Sequence, residues 1–213
     1  MELRDPAPPS KVDAIALDDE KALVRALRRG DARAFDAVYE RYRARLFAFL
    51  VRLSRSRHVA EDLLQETWLR LARHALELDE DTRLLPWLYT VARNLHTSHR
   101  RWSLLDAERL GALRFWAREA DELSPFERMA ANETERKLEH ALAALPVAQR
   151  EVVLLVCVER MEPTDAARVV GLAPEAFRQR LSRARVALAD ALVAREERVA
   201  VSVTAARKKG RDR

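Results

Sequence analysis

The sequence predicts an all-α protein of two small helical domains. Apolar residues recur at three- and four-residue steps through most of its length, the spacing of one helix face. Only 4 of its 213 residues are glycine, too few for the tight turns a β-rich chain needs. The stretch without a clean stripe lies in the middle, which reads as a flexible tether between domains. The expected organisation is a disordered lead over 1–18, a helical domain over 19–102, a linker over 103–124, a second helical domain over 125–195 and a basic tail over 196–213.

Composition limits what such a chain can do. Hydrophobic residues make up 48% and charged residues 34%, enough for buried cores under wet helix faces. A formal charge of +5 permits an anionic partner without demanding one. Cys157 is the single cysteine, so no disulfide forms within the chain. Its setting in the apolar run VVLLVCV predicts a small buried hydrophobe and not a nucleophile. No run of about 18 apolar residues occurs and the N-terminus has no apolar signal core, so a soluble, cytoplasmic protein without membrane insertion is expected. The histidines form no HExxH and no Cys–His ligand set. His96 and His99, three apart, lack a third ligand nearby. No catalytic residue, metal or cofactor is expected.

Each element has its own justification. A short helix carries Leu23, Ala26 and Leu27 on one side and stops at Gly30. Asp31 caps the next helix, where Phe35, Val38, Tyr42, Leu46, Phe49 and Leu53 form the buried stripe. In HVAEDLLQETWLRLARHAL the expected buried stripe is Ala60, Leu64, Trp68, Leu71 and Ala75. Asp62, Glu66, Leu69 and Arg73 lie on the far side, with Gln65 at its edge. Carboxylates around an outward leucine suit either docking of a basic partner or a solvated face. LELDEDTRLL breaks the periodicity and reads as a loop.

Pro86 starts the helix PWLYTVARNLHTSHRRW, with Leu88, Val91, Ala92 and Leu95 inward. Trp87, Tyr89, Arg93, Asn94, His96, Arg100 and Arg101 spread over its other sides. Cations interleaved with aromatics suit single-stranded DNA. Packed aromatics and solvated arginines are the plain alternative. Ser124-Pro125-Phe126-Glu127 has the form of a capping box and opens a helix through Leu138, Leu142 and Leu145. Pro146 opens the next.

The stretch EPTDAARVVGLAPEAFRQRLSRARVAL organises the second domain. Pro163 and Pro174 stand at first helical positions, and Gly171 stands where a left-handed C-cap belongs. A short helix, a glycine turn and a longer helix make a helix-turn-helix. Phe177, Leu181, Ala184, Leu188 and Leu192 fall on one stripe of the second helix. Gln179, Ser182 and Arg183 oppose it, flanked by Arg178 and Arg180. Such a face suits a DNA major groove, where Arg pairs with guanine and Gln with adenine. A solvated arginine face fits the same pattern.

Taken in order, GDARAFDAVYERYRARLFAFLVRL, AEDLLQETWLRLARH, PWLYTVARNLHTSHRRW and the stretch from LAALPVAQREVV through LSRAR resemble RNA polymerase sigma factors of the extracytoplasmic-function type. The resemblance covers about residues 25 to 192 apart from the tether. It implies a sigma region 2 domain before the tether and a region 4 domain after it. It further implies binding to core RNA polymerase and promoter DNA, under the control of an anti-sigma factor. Asp62, Gln65, Glu66 and Leu69 would meet the polymerase. Leu78 in the acidic loop, with Trp87, Arg93, Asn94, Arg100 and Arg101, would take the −10 element and its melted strand, Asn94 helping to hold a flipped base. Glu175, Arg178, Gln179, Ser182 and Arg183 would read the −35 element.

The chain departs from the family pattern at Ser98, where Asp is usual, at Pro163 and Glu175, and in the acidic loop residues Glu77, Asp79, Glu80 and Asp81. These departures bear on the promoter sequence. Two other functions compete. A helix-turn-helix regulator acting without polymerase leaves the α-helical face around Asp62 unexplained. An enzyme has no visible catalytic set.

Overall fold

The computed structural model describes residues 19–110 and 132–211, with side chains over 19–105 and 132–193. The expected disordered lead, most of the expected linker and the Ser124-Pro125 helix start lie outside them. All regular structure among the described residues is helical.

In the N-terminal half, Asp19 caps α1 (Glu20–Arg28), its carboxylate accepting from the Lys21 N–H. Gly30 comes next with φ +74°, a left-handed turn that glycine adopts without strain. Asp31 caps α2 (Ala32–Ser54) by accepting from the Arg33 N–H. This helix buries Val38, Tyr42, Leu46, Phe49 and Leu53, with Phe35 half-buried. Ser56 caps α3 (Arg57–His74), and a 3-10 turn spans Ala75–Glu77. α4 covers Leu84–Leu110.

Several expectations change here. The buried face of α3 includes Leu63 and Thr67, and Leu64 is half-buried at its edge. The irregular loop is shorter than LELDEDTRLL, because the 3-10 turn takes its start and α4 begins two residues before Pro86. Proline is tolerated there because a first-turn N–H has no helical partner. The Leu84 N–H instead donates to Glu20 Oε1 at 2.9 Å. α4 then runs past the boundary expected at 102. The acidic loop is also accounted for. Asp81 pairs with Lys21 at 2.9 Å, Glu80 with Arg28 at 2.7 Å and Glu77 with His74 at 2.9 Å. Solvent screens exposed pairs of this kind, so each stabilises little. They bind the loop to α1 and the end of α3.

In the C-terminal half, α5 is Glu133–Ala144 and α6 is Val147–Val153. α5 starts afresh at Glu133 and does not run unbroken from Pro125. Asn132 Oδ1 accepts from the Glu135 N–H at 2.9 Å while Asn132 Nδ2 donates to Glu135 Oε1, a reciprocal cap. A π turn, Leu154–Val158, succeeds α6. The extra residue in such a turn rotates the succeeding side chains by about 100°. Cys157, expected to be buried, is therefore exposed, as is Val158. α7 (Pro163–Val170) ends at Gly171 with φ +70°, the left-handed cap expected. α8 (Pro174–Arg211) continues past the boundary expected at 195. No proline interrupts residues 190–208, and Ala, Glu and Arg favour helix there.

The halves pack against each other. α7 lies on α4, α6 lies on α2, and buried apolar residues from both halves form one core. Tyr89, placed by the sequence among possible stacking groups, is fully buried against Phe49 with ring centroids 4.9 Å apart. His96 is buried too.

A polar seam borders this contact. Arg45 reaches Glu159 at 3.1 Å, Arg52 reaches Glu139 at 2.7 Å, Arg93 reaches Glu151 at 2.8 Å, and Arg83 pairs with Asp165. Each arginine comes from the N-terminal half and each carboxylate from the C-terminal half. Arg150 donates to the carbonyls of Leu142, Ala143 and Leu145 in its own half, and of Arg52 and Leu53 across the seam.

Candidate nucleic-acid and protein interfaces

The first face lies on α3. Ser56 starts the helix, and burial of Ala60, Leu63, Thr67 and Leu71 turns Asp62, Gln65, Glu66 and Leu69 toward solvent. Leu69 is 43% exposed. Glu66 pairs with Arg70 at 3.2 Å and Arg73 at 3.8 Å, and Asp62 faces His58 at 3.7 Å. Beside Leu69 runs a groove of about 340 Å³ lined by Phe35, Tyr39, Leu64, Trp68 and Ala72, with Glu61 and Gln65 at its rim. Tyr39 and Trp68 pack at 5.0 Å. An apolar groove edged by a carboxylate and an amide suits a partner carrying both apolar and cationic groups.

The second face lies on α4. Trp87, Asn94 and Arg101 stand at seven-residue steps, which places them along one stripe. Asn94, Arg100 and Arg101 are exposed, and Trp87 and Arg93 are half-buried. Trp87 borders a recess of about 240 Å³ with His74, Glu77, Asp79 and Thr82. Leu78 also borders it but is only 5% exposed and belongs to the core. It holds the loop down and offers little contact surface, a correction to its expected place among DNA-facing groups. Arg93 is engaged twice, by Glu151 across the seam and by Asn94 Oδ1 at 3.3 Å. Burial raises the Glu151 carboxyl above its ordinary pKa, against the opposing pull of Arg93. The sequence-expected set therefore meets on one helix, but Arg93 faces the other half.

The third face lies on α8. Phe177, Leu181 and Ala184 are buried, and Arg178, Gln179, Ser182 and Arg183 are exposed. Glu175 accepts from Arg178 Nε at 3.2 Å and from Gln179 Nε2 at 3.4 Å. Arg178 holds the Glu175 carboxyl below its usual pKa. This carboxylate in the first turn faces the positive end of the helix dipole and orients the Arg178 and Gln179 side chains.

Sequence reasoning missed the acids of the seam. Glu139, Glu151, Glu159 and Asp165 are all buried. Their only sequence signal is a carboxylate on an otherwise apolar face, as for Glu151 in AQREVVLLV, and no local pattern names the arginine that meets it.

Family models match twice: Sigma-70 region 2 over residues 38–102 and Sigma-70, region 4 over residues 135–188. The chain is 31% identical over 160 residues to the ECF RNA polymerase sigma factor SigM of Mycobacterium tuberculosis, covering 75% of this chain and 78% of that one. It is 32% identical over 152 residues to the probable RNA polymerase sigma factor RfaY of Xanthomonas campestris, matching 70% of this chain but spanning only 38% of the relative. Among solved structures, the sigma factor RpoE of Bartonella quintana, determined with the anti-sigma factor NepR, superposes with a TM-score of 0.57. That match has 22% identity and covers 86% of this chain and 98% of the other, a likeness of fold.

Proposed function

The chain belongs to the sigma-70 family of RNA polymerase sigma factors, and from that premise we propose how its faces divide the work. The α3 face, with Asp62, Gln65, Glu66 and Leu69, docks on core RNA polymerase. Trp87, Arg93, Asn94, Arg100 and Arg101 engage the −10 element and its melted strand. Holding an extruded base offsets the few kcal/mol that unstacking costs. Glu175, Arg178, Gln179, Ser182 and Arg183 read the −35 element in duplex form. The chain between α4 and α5 tethers the two units, so that both act together at high effective concentration. The protein is a cytoplasmic initiation factor, and its chemistry is binding and strand separation, not catalysis.

One observation carries this reading: a single chain exposes both a carboxylate–amide face beside an apolar groove on α3 and an Arg/Gln face on the second helix of a helix-turn-helix. A DNA-binding regulator working alone has no use for the first. The seam adds a condition. Arg93 is held by Glu151, so its engagement with DNA requires the halves to part. A protein that covers both halves, of the anti-sigma kind, would hold them together.

The test is run-off transcription with core polymerase over a promoter library, together with a pull-down. Wild type directs initiation from two-element promoters. Combined charge reversal at Asp62 and Glu66 abolishes association with core polymerase while leaving duplex binding intact. A charge-reversed protein that still associates would remove the α3 face from its role.

A further inference from the structure

Trp102 stands near the far end of α4 and is 64% exposed. Leu105, one turn further on, is exposed as well. Tryptophan is highly buried on average, so an indole this bare on a helix invites an occupant. Its place on the helix narrows the choice. At 100° per residue, Trp87, Asn94, Arg101 and Leu105 fall on one stripe, and Ser98 and Trp102 run along the edge of that stripe. The patch is therefore continuous with the face that carries Asn94.

Charge narrows it further. From Leu84 to Leu105, α4 carries no aspartate or glutamate, although 34 of the chain's 213 residues are acidic. Arg100 and Arg101 directly precede Trp102, and both are exposed. Ser98, four residues before Trp102, is exposed and neutral. Side chains at that spacing are neighbours on one face, about 5–6 Å apart at Cβ, so a carboxylate there would repel a phosphate beside the indole. A cationic surface with a bare aromatic suits an anionic chain that offers flat apolar groups. Single-stranded DNA is such a chain, whereas the bases of a duplex are already stacked on one another.

We propose that Trp102 is a second stacking site for the melted strand, taking a base about three to four nucleotides from the one held at Asn94. Eight residues of helix separate Asn94 from Trp102, about 12 Å along the axis, and a stacked strand rises about 3.4 Å per nucleotide. Arg101, between them, meets the intervening phosphates, and Leu105 widens the apolar platform. Every base has a face to stack, so this contact holds the opened strand without choosing its sequence. The inference rests on the function proposed for α4 and adds a residue to it.

The test uses holoenzyme assembled from core polymerase and the full-length chain, on a promoter taken from the run-off library, with strand opening read by permanganate. Trp102→Ala should lower the opening equilibrium about tenfold, within the range for loss of one stacked base, while the −35 footprint persists. Trp102→Phe should restore most of the opening and Trp102→Leu should not, a difference that a packing role alone would not produce. Ser98→Asp should impair opening in the same direction as Trp102→Ala. Normal opening in Trp102→Ala beside impaired opening in Asn94→Ala would overturn this inference and leave the −10 assignment of α4 standing; normal opening in both would remove that assignment too. Equal rescue by Leu and Phe would also overturn the inference. So would a Trp102→Ala protein whose only defect is weaker association with core polymerase, because the patch would then be a protein contact.

Discussion

Removing either partner of the Arg93–Glu151 pair should have unequal effects on stability. At an effective dielectric near 20, two charges about 4 Å apart attract by about 4 kcal/mol. Burying the Glu151 carboxylate, only 6% exposed, costs several kcal/mol. The direction of its titration shows which effect is larger: burial raises its pKa although Arg93 pulls it down. Glu151→Leu therefore removes a charge that was poorly repaid for its desolvation, and stability should change by about 1 kcal/mol or less. Arg93→Leu leaves the carboxylate buried without its hydrogen-bonded partner and should cost about 3 kcal/mol. The double variant should recover most of that loss.

The pH dependence of Arg93→Leu has a defined sign. Without Arg93 the Glu151 pKa rises further above its ordinary 4.5. A carboxyl with a raised pKa in the folded state binds its proton more tightly there. The loss is thus complete above the folded pKa and shrinks as pH falls toward 4.5. Urea unfolding of the four proteins at pH 7 and pH 5 supplies the cycle. If Glu151→Leu costs as much as Arg93→Leu at pH 7, the reasoning that burial outweighs attraction fails.

Three further outcomes are expected. The His96 pKa is depressed from 6.5 to about 4 by burial first and by Arg100, His99, Arg150 and Arg93 after it. Its contribution is thus full above pH 6.5 and is lost as pH falls toward 4, about 3 kcal/mol in all; His96→Gln should flatten the stability–pH profile in that window. Arg178→Ala and Arg183→Ala should each weaken binding at the cognate −35 element by about 1–3 kcal/mol, and unaltered footprints in both would count against the groove assignment. Asn94→Ala should leave closed-complex formation intact but reduce opening, and normal permanganate reactivity of the melted strand would remove Asn94 from that role.

The fold is largely legible because its determinants are local. The stripe from Val38 to Leu53, the caps at Asp31 and Gly171, and the exposed Arg178, Gln179, Ser182 and Arg183 opposite Phe177 and Leu181 arise from helical geometry within each segment. Where neighbouring turns compete, the local pattern misleads. Cys157 turns outward because a π turn adds one residue to the register.

What the amino-acid order determined by itself is therefore the helices, their wet and dry faces, and the two sets of residues proposed to meet DNA. Only the tertiary structure decided that Tyr89, His96 and Leu78 are interior and that Arg93 is held by Glu151. The reason is range: a helix face is set by residues three or four apart, whereas Arg83 and Asp165, or Arg45 and Glu159, meet only because distant surfaces share a core.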